Sequence, residues 1–192
     1  MSSFRLAVVI ILLLGCGDKG STNEQNKSGE AEQPSGVQET FPDSPGLIKS
    51  DIYDAAGRLS ATGYWLDGKK EGAWADYTLD QRVLRITNYV KGKKEGLFME
   101  FDVDNRATKR YFNHNGQRHG KYIEYGGSFL IGERYYINGK LDGIARVYFT
   151  DGKLMEEGYY KDGLREGISK WYDREGNLKL EYEYKSGQLV KK

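Results

Sequence analysis

Apolar and polar positions alternate in short stretches along residues 47–192, and glycine-containing turns separate the stretches. Counted from the second glycine of each Gly-x-x-x-Gly element, positions one, three and five share one face of a strand, and positions two and four share the other. The stretches are rich in aromatic and β-branched residues, and this part of the chain contains no proline. The pattern predicts an all-β structure of short strands joined by tight turns.

The Gly-x-x-x-Gly element recurs at an almost constant interval. Five copies are complete, and a sixth, GQLVK at 187–191, lacks its second glycine. The first glycines stand at 68, 92, 116, 139, 163 and 187 and are therefore 24, 24, 23, 24 and 24 residues apart, which indicates a repeat array. The predicted structural turn glycines are Gly68, Gly72, Gly92, Gly96, Gly116, Gly120, Gly139, Gly143, Gly163 and Gly167.

Each repeat contains two strand-like segments and two turn signals. An aromatic residue such as Phe101 stands five positions after the second glycine, and a turn residue such as Asn105 follows it. A second strand then leads to a dipeptide such as Asn138-Gly139, and Asn-Gly is among the strongest hairpin signals because both residues tolerate positive φ. The predicted fold is an elongated antiparallel meander of β-hairpin repeats of about 24 residues.

The alternation divides the side chains of each strand between two faces. Positions one, three and five read Ala73-Ala75-Tyr77 in the first complete repeat, and because this face is the more apolar, we predict that it is the packed one. On the other face, an aromatic residue accompanies an acidic residue in the first three repeats, and the rings would form a ladder with a spacing of about 10 Å. The candidate partner-binding residues are Trp74, Asp76, Phe98, Glu100, Tyr122 and Glu124.

Two interpretations of this ladder stay open. Exposed aromatic rings flanked by charge suit contacts with a protein or a glycan. Alternatively, rings that stack across neighbouring strands stabilise the sheet and bind nothing.

The N-terminus carries a predicted targeting segment. Arg5 precedes the apolar run LAVVIILLL at 6–14, which is too short to span a bilayer but suits a signal peptide. LLGC at 13–16 resembles the lipobox of bacterial lipoproteins, in which the signal is cleaved before the cysteine and the sulfur is lipidated. The alternative is an ordinary secretory signal followed by a chance cysteine at Cys16.

These signals define the expected domain organisation. Residues 1–15 form a lipoprotein signal peptide, 16–46 hold the lipidated Cys16 and a disordered linker, and 47–192 form the repeat array. In the linker, Val37 and Phe41 are the only large apolar residues, which are too few to offset the entropy of ordering. The expected location is the bacterial cell envelope, with the protein anchored to a membrane on the periplasmic or the outer surface.

Charge and composition narrow the function classes. The 29 basic and 28 acidic residues nearly balance, which leaves no long-range field to attract nucleic acid. Cys16 is the only cysteine, so a disulfide framework within one chain and a multi-cysteine metal site are both excluded. Gly63, Gly68 and Lys69 match the spacing of a P-loop, but Lys70 stands where that motif needs Ser or Thr to hold Mg²⁺.

The other polar residues form no catalytic pattern. His114 and His119 lie beside one turn, and without a recurring ligand beside them they are better explained as exposed turn residues than as a metal pair. We expect no enzymatic activity, no cofactor and no metal. Acidic residues recur at one turn position, where a solvated carboxylate explains them better than acid–base catalysis: Glu71, Glu95, Asp142 and Glu166.

Units such as GYYKDGLREGISKWYDREGNLKLE at 158–181 resemble MORN repeats (membrane occupation and recognition nexus), and most of all the bacterial variant with its Tyr-x-x-Gly-x-x-x-Gly-x-x-x-x-Tyr pattern. The resemblance covers roughly residues 47–192 and implies a gently twisted sheet of hairpins. Bacterial members are often labelled antitoxin components of toxin–antitoxin systems, although a lipoprotein signal fits poorly with a cytoplasmic antitoxin.

The expected function is a lipid-anchored envelope scaffold that binds an unidentified protein partner through its β-repeat sheet, with no nucleic acid involved. Three alternatives stay open: a carbohydrate- or cell-wall-binding module that uses the same rings, a membrane-surface module, and an antitoxin-type component. The membrane-surface alternative would use the basic turn residues Lys69, Lys70, Lys93, Lys94 and Arg165.

Overall fold

In a computed structural model, residues 35–191 are described, and they form one open antiparallel sheet of fifteen strands. Strands that follow each other in the chain are neighbours in the sheet, except that the short β8 pairs only with β7 and β9 takes its place in the order. The strands are β1 (Val37–Thr40), β2 (Leu47–Tyr53), β3 (Leu59–Leu66), β4 (Lys69–Tyr77), β5 (Val83–Val90), β6 (Lys93–Phe101), β7 (Ala107–His114), β8 (Gln117–Arg118), β9 (Gly120–Gly126), β10 (Phe129–Ile137), β11 (Lys140–Tyr148), β12 (Leu154–Lys161), β13 (Leu164–Tyr172), β14 (Leu178–Lys185) and β15 (Gln188–Lys191).

The prediction of an all-β antiparallel meander is confirmed: residues 35–191 contain no helix, and accordingly no helical segment in this part of the chain could cross a membrane. The predicted signal peptide, 1–15, and the predicted lipidation site, Cys16, lie outside the described residues. Both therefore stay predictions.

The repeat dipeptides form the tight hairpin turns that the sequence predicts. Asn138 and Gly139 have φ values of 48° and 80°, the pair of positive angles that defines a type I′ turn. This turn matches the right-handed twist of the strands that it joins. The same two positive angles recur in every such turn: Asp67-Gly68, Lys91-Gly92, Asn115-Gly116, Asp162-Gly163 and Ser186-Gly187.

The second glycine of each repeat lies within a strand or at its start rather than in a turn, which corrects the turn role predicted for Gly72, Gly96, Gly120, Gly143 and Gly167. In β4, Glu71 faces Tyr64 and Ala75 faces Thr62, so residues 72–74 lie opposite the single residue Gly63. A bulge of this kind needs one unusual backbone angle, and Gly72 supplies it with a φ of 65°.

The sheet begins before the predicted array. β1 lies inside the predicted linker, 16–46, and pairs with β2, so that Val37 faces Asp51. The Phe41 ring lies 6.2 Å from the ring of Tyr64. For residues 37–46 the prediction of disorder is wrong because it considered only side-chain burial, whereas β1 is held by backbone hydrogen bonds to the edge of β2. The rest of the predicted linker, up to residue 34, lies outside the described residues.

Candidate functional site

The aromatic ladder predicted as an exposed stripe is the buried core of the sheet. Trp74, Phe98 and Tyr122 are only 4%, 9% and 6% exposed, and Trp65 beside them is 3% exposed. Alternation along the strands is as predicted, but the packed face is the other one. The prediction counted apolar residues, and small residues such as Ala73 and Ala75 raise this count although each buries much less apolar area than an aromatic ring.

A glycine in the neighbouring strand makes room for the first ring of this core. A Cβ atom added to Gly63 would lie 2.2 Å from the Trp74 ring, so the indole occupies the space above the glycine. Its Nε1–H donates to the carbonyl oxygen of Tyr64 at 2.9 Å, and the Trp65 ring meets it edge-on at 5.3 Å. A glycine inside a strand is the signal that could have revealed this packing.

Further along, the rings stack directly. The centroids of Phe98 and Tyr111 are 4.4 Å apart, and those of Tyr111 and Tyr122 are 5.5 Å apart. Burial raises the pKa of the Tyr122 phenol, as expected for a hydroxyl with little access to water. We call Trp74, Phe98, Tyr111 and Tyr122 the aromatic core.

Basic side chains lie over the rings at regular positions. Lys70 Nζ is 4.8–5.7 Å from the ring centroids of Trp65, Trp74 and Tyr89, within cation–π range. Arg118 lies 5.3–5.6 Å from the rings of Tyr111, Tyr122 and Tyr136. Lys70 and Arg118 both stand two residues after the first glycine of a repeat, so the repeat sets the position of the cation.

The same position in the fifth repeat is Arg165, which lies 5.2–5.6 Å from Tyr160, Trp171 and Tyr184. Arg165 and Lys70 are therefore both turned onto rings of the core face. Of the five basic residues of the membrane-surface alternative, this leaves Lys69, Lys93 and Lys94 exposed.

The acidic members of the candidate site form ion pairs across the strands of the same face. Arg85 Nε lies 2.5 Å from Asp76, Lys109 Nζ lies 2.8 Å from Glu100, and Arg134 Nη1 lies 3.1 Å from Glu124. These pairs border the aromatic core at one end of the strands. The structure thus brings the six predicted partner-binding residues together, but as a core with a charged border.

The recurring turn carboxylates link one repeat to the next. Glu71 accepts a hydrogen bond from the Lys91 backbone N–H at 2.8 Å, and Glu95 accepts one from the Asn115 N–H at 2.8 Å. That bond holds the pKa of the Glu95 carboxyl below its ordinary value. Asp142 and Glu166 make the same contact with Asp162 and Ser186 at 3.1 and 2.7 Å.

A backbone bond strengthens each link. The Gly92 N–H donates to the Lys70 carbonyl oxygen at 2.9 Å, and the Gly187 N–H donates to the Arg165 carbonyl oxygen at 2.8 Å. The links join residues about twenty positions apart, so neither a motif nor hydropathy along one strand could predict them. They give the turn carboxylates a structural role that sequence reasoning missed.

The two histidines lie together at the third of these turns. His114 Nδ1 is 2.9 Å from Glu95 Oε1, and the His114 and His119 rings meet edge-on at 5.6 Å. In the described part of the chain, no three His, Cys, Asp or Glu side chains are placed to share a metal ion. His119 replaces the carboxylate that links the turns in the other complete repeats.

The face opposite the aromatic core carries exposed apolar side chains in one row, near the hairpin ends of the strands. Phe112, Tyr135, Tyr159 and Ile168 are 50%, 40%, 47% and 51% exposed. Leu97 and Ile144 are half-buried and face Phe112 and Tyr159 directly. We call this row the apolar band: Leu97, Phe112, Tyr135, Ile144, Tyr159 and Ile168.

A ladder of alternating charges runs beside the apolar band on the same face. The buried Glu133 carboxylate forms an ion pair with Lys121 Nζ at 2.5 Å. It accepts hydrogen bonds from Arg146 Nη1 at 3.2 Å and from the Tyr148 hydroxyl at 3.1 Å. Burial opposes the charge on Glu133, but these partners outweigh it and hold the pKa of the carboxyl below its ordinary value. We call the following residues the charge ladder: Lys121, Glu133, Arg146, Glu157, Lys170 and Glu181.

Comparison with known proteins agrees with this architecture. Residues 141–162 and 165–191 each match the family described as the MORN repeat variant. No curated protein matches the chain. The matches run from the second residue of β11 to the end of β15 and leave out Gly163 and Leu164 between them. They support a MORN-repeat architecture in this part of the chain, and such repeats suggest a β-repeat module for interaction with a protein or a membrane.

Proposed function

We propose that the protein is a lipid-anchored envelope scaffold that binds a protein partner through the apolar band. The observation that carries this proposal is the row of four large apolar side chains, 40–51% exposed, on the face opposite the core. Isolated exposed apolar residues are common on protein surfaces, whereas the largest contiguous apolar patch of a monomer, typically about 300–600 Å², is often a functional surface.

The surroundings of the apolar band favour a protein contact. Large aromatic side chains bury much area at a small loss of rotamer freedom, and they are enriched in protein interfaces. The charge ladder fixes the strands beneath the band through bonds such as Arg146 Nε to Glu157 at 2.7 Å. A partner would therefore meet a surface that is already ordered, which lowers the entropic cost of association.

The alternatives have less support. The glycan module relied on rings that the structure buries, Trp74, Phe98 and Tyr122. The membrane-surface module loses Lys70 and Arg165 to contacts within the core face. No contact described above favours an antitoxin.

The test is site-specific photo-crosslinking in the native cell. A benzophenone amino acid replaces Phe112 or Tyr159 of the full chain, and in control variants it replaces Leu178 or Val103, which are equally or more exposed but lie outside the apolar band. We expect a discrete protein adduct from the two band positions only. Equal adducts from the controls, or none from the band, would contradict the proposal.

The anchor is tested separately at Cys16. Replacing Cys16 with Ser removes the sulfur that would carry the lipid, so the variant should remain uncleaved and lose the lipid-dependent increase in detergent-phase partition. Metabolic labelling with a clickable palmitate should mark the parent chain and not the variant. Cleavage of the Ser variant together with continued membrane partition would show that the lipoprotein assignment is incorrect.

A further inference from the structure

We infer that the apolar band binds one amphipathic helix that runs across the strands, with its axis along the row of band residues. This inference rests on the proposed function and specifies the partner segment. Each strand contributes at most one residue to the band, and the run Tyr135, Ile144, Tyr159 and Ile168 is unbroken from β10 to β13. The ligand must therefore present apolar groups at the spacing of the strands.

Strand spacing points to a helix. Neighbouring strands lie about 4.8 Å apart, and a helix rises about 5.4 Å per turn and repeats its apolar face every three to four residues. A helix across the strands thus places about one apolar side chain over each strand. The four strands β10 to β13 span roughly 14 Å, which corresponds to about ten helical residues at 1.5 Å each.

The exposed area argues against a second copy of this chain as the occupant. Taking about 200 Å² for an aromatic side chain, the half-exposed residues of the band offer on the order of 400 Å². A stable dimer needs about 800 Å² from each partner. One face of a short helix matches the smaller area.

The polar border specifies the charge of the helix. Neighbouring side chains of the charge ladder carry opposite charges and neutralise each other in ion pairs, such as Lys121 with Glu133 and Arg146 with Glu157. Lys121 stands opposite Tyr135 in the neighbouring strand and its ammonium is directed to Glu133, which leaves its aliphatic stem as the apolar part on the side of the band. Because this border has no net charge, the helix needs none, and binding should depend only weakly on salt.

The probe for the test is a synthetic fifteen-residue peptide with Leu at positions 1, 4, 8, 11 and 15 and with balanced Glu and Lys elsewhere. Two peptides of the same composition serve as controls: one has a scrambled order and one alternates apolar and polar residues as a strand does. Fluorescence anisotropy measures binding of each peptide to the full-length protein as it is purified from the native membrane and placed in a nanodisc. We expect the helical pattern to bind at least tenfold more tightly than either control and its affinity to change less than threefold between 50 and 500 mM salt.

Variants locate the binding. Tyr159→Ser and Ile168→Ser should each weaken binding of the helical peptide about tenfold or more, whereas Leu178→Ser, at an equally exposed position outside the band, should leave it unchanged. Unchanged far-UV dichroism shows that each variant keeps the fold. Tighter binding of the strand-patterned peptide, loss of binding in Leu178→Ser, or absence of binding would each overturn the inference.

Two further results separate this inference from the proposed function. Self-association that Tyr159→Ser abolishes, without peptide binding, would identify a second copy as the occupant and overturn the helix. A band-specific adduct in cells together with no preference for the helical peptide would keep the proposed function and reject the helix alone.

Discussion

The N-terminal and C-terminal parts of the core face fill the same position with different chemistry. In the first complete repeat the Trp74 ring lies over Gly63, whereas in the fifth the Ser169 hydroxyl and the Arg165 guanidinium lie over Gly158, where an added Cβ would be 2.9 Å from Oγ and 3.2 Å from Nη1. Ser169, which corresponds to Trp74 in the repeat, is fully buried and accepts a bond from Arg165 at 3.0 Å. The repeat thus provides a space above a strand glycine, and either a ring or a cation can occupy it.

The C-terminal arrangement also buries a charge. Arg165 pairs with Glu156, which is 6% exposed, and stacks against three rings. In the N-terminal part, the core around Trp74 gains its stability from ring burial. Charge burial costs free energy unless each charge keeps its partner, so the two parts should respond differently to substitution.

The largest expected effect is loss of the first ring. Trp74→Ala should destabilise the protein by about 3–5 kcal/mol, the usual cost of truncating a buried large ring. The equivalent change in the fifth repeat, Ser169→Ala, removes one hydroxyl and should cost about 1 kcal/mol. Urea unfolding of both variants measures the difference, and equal costs would mean that the two parts of the core are packed alike.

The next prediction compares the loss of stability on removing a cation from a buried ion pair with the loss on removing a cation that only lies over rings. Arg165→Met leaves Glu156 buried without its partner and should cost about 3 kcal/mol. The double variant Arg165→Met, Glu156→Met should recover most of this loss, because neither charge is then buried. Lys70→Met should cost about 1 kcal/mol. A double variant no more stable than Arg165→Met would refute the importance of the buried pair.

A further pair of effects, no larger than the preceding one, tests the space above the glycines. Gly63→Ala places a methyl group 2.2 Å from the Trp74 ring, which can move only by displacing the core, so the cost should reach about 3 kcal/mol. In Gly158→Ala the closest atom is Ser169 Oγ at 2.9 Å, followed by the end of the Arg165 side chain, and the cost should be about 1 kcal/mol. The thermal midpoint should therefore fall further in Gly63→Ala than in Gly158→Ala. A larger fall in Gly158→Ala would exclude ring packing as the cause.

The smallest expected effect is acid sensitivity of the charge ladder. The folded-state pKa of Glu133 lies below its ordinary value, so its contribution is present above the unfolded pKa of about 4.3 and is lost as pH falls through the folded value. Stability should decline below about pH 4.5, and less in Glu133→Gln. Hydrogen exchange at pH 3.5 should show faster opening in β10 to β12 than in β4 to β6, where Ala75, Ile86 and Met99 occupy the corresponding row. Uniform opening would contradict this account.

The features that the sequence could predict are those encoded within one repeat. The period, the antiparallel order and the positive φ at dipeptides such as Asn138-Gly139 follow from glycine spacing and turn chemistry. Alternation also divided the side chains correctly between the two faces. These properties depend on local backbone sterics, which a short stretch of sequence determines.

The features that the sequence could not predict arise between repeats. Which face packs depends on Trp74 reaching Gly63 in a neighbouring strand, and counting apolar residues gave the wrong face. The contact from Glu71 to Lys91 depends on how one turn stacks on the next. The apolar band became visible as an exposed surface only after burial had identified the opposite face as the core.

The links between successive hairpin turns run along one side of the sheet, and the link from the third turn to the fourth is the weakest. Opening any turn requires its bond to the preceding turn to break, so neighbouring repeats should open together, as nearest-neighbour coupling in repeat proteins requires. At His119 the carboxylate is missing, and the backbone bond from the Gly139 N–H to the Arg118 carbonyl oxygen, at 2.8 Å, carries the link. Under a pulling force applied to the ends, we expect the array to yield there first and to separate into two blocks that each unravel cooperatively.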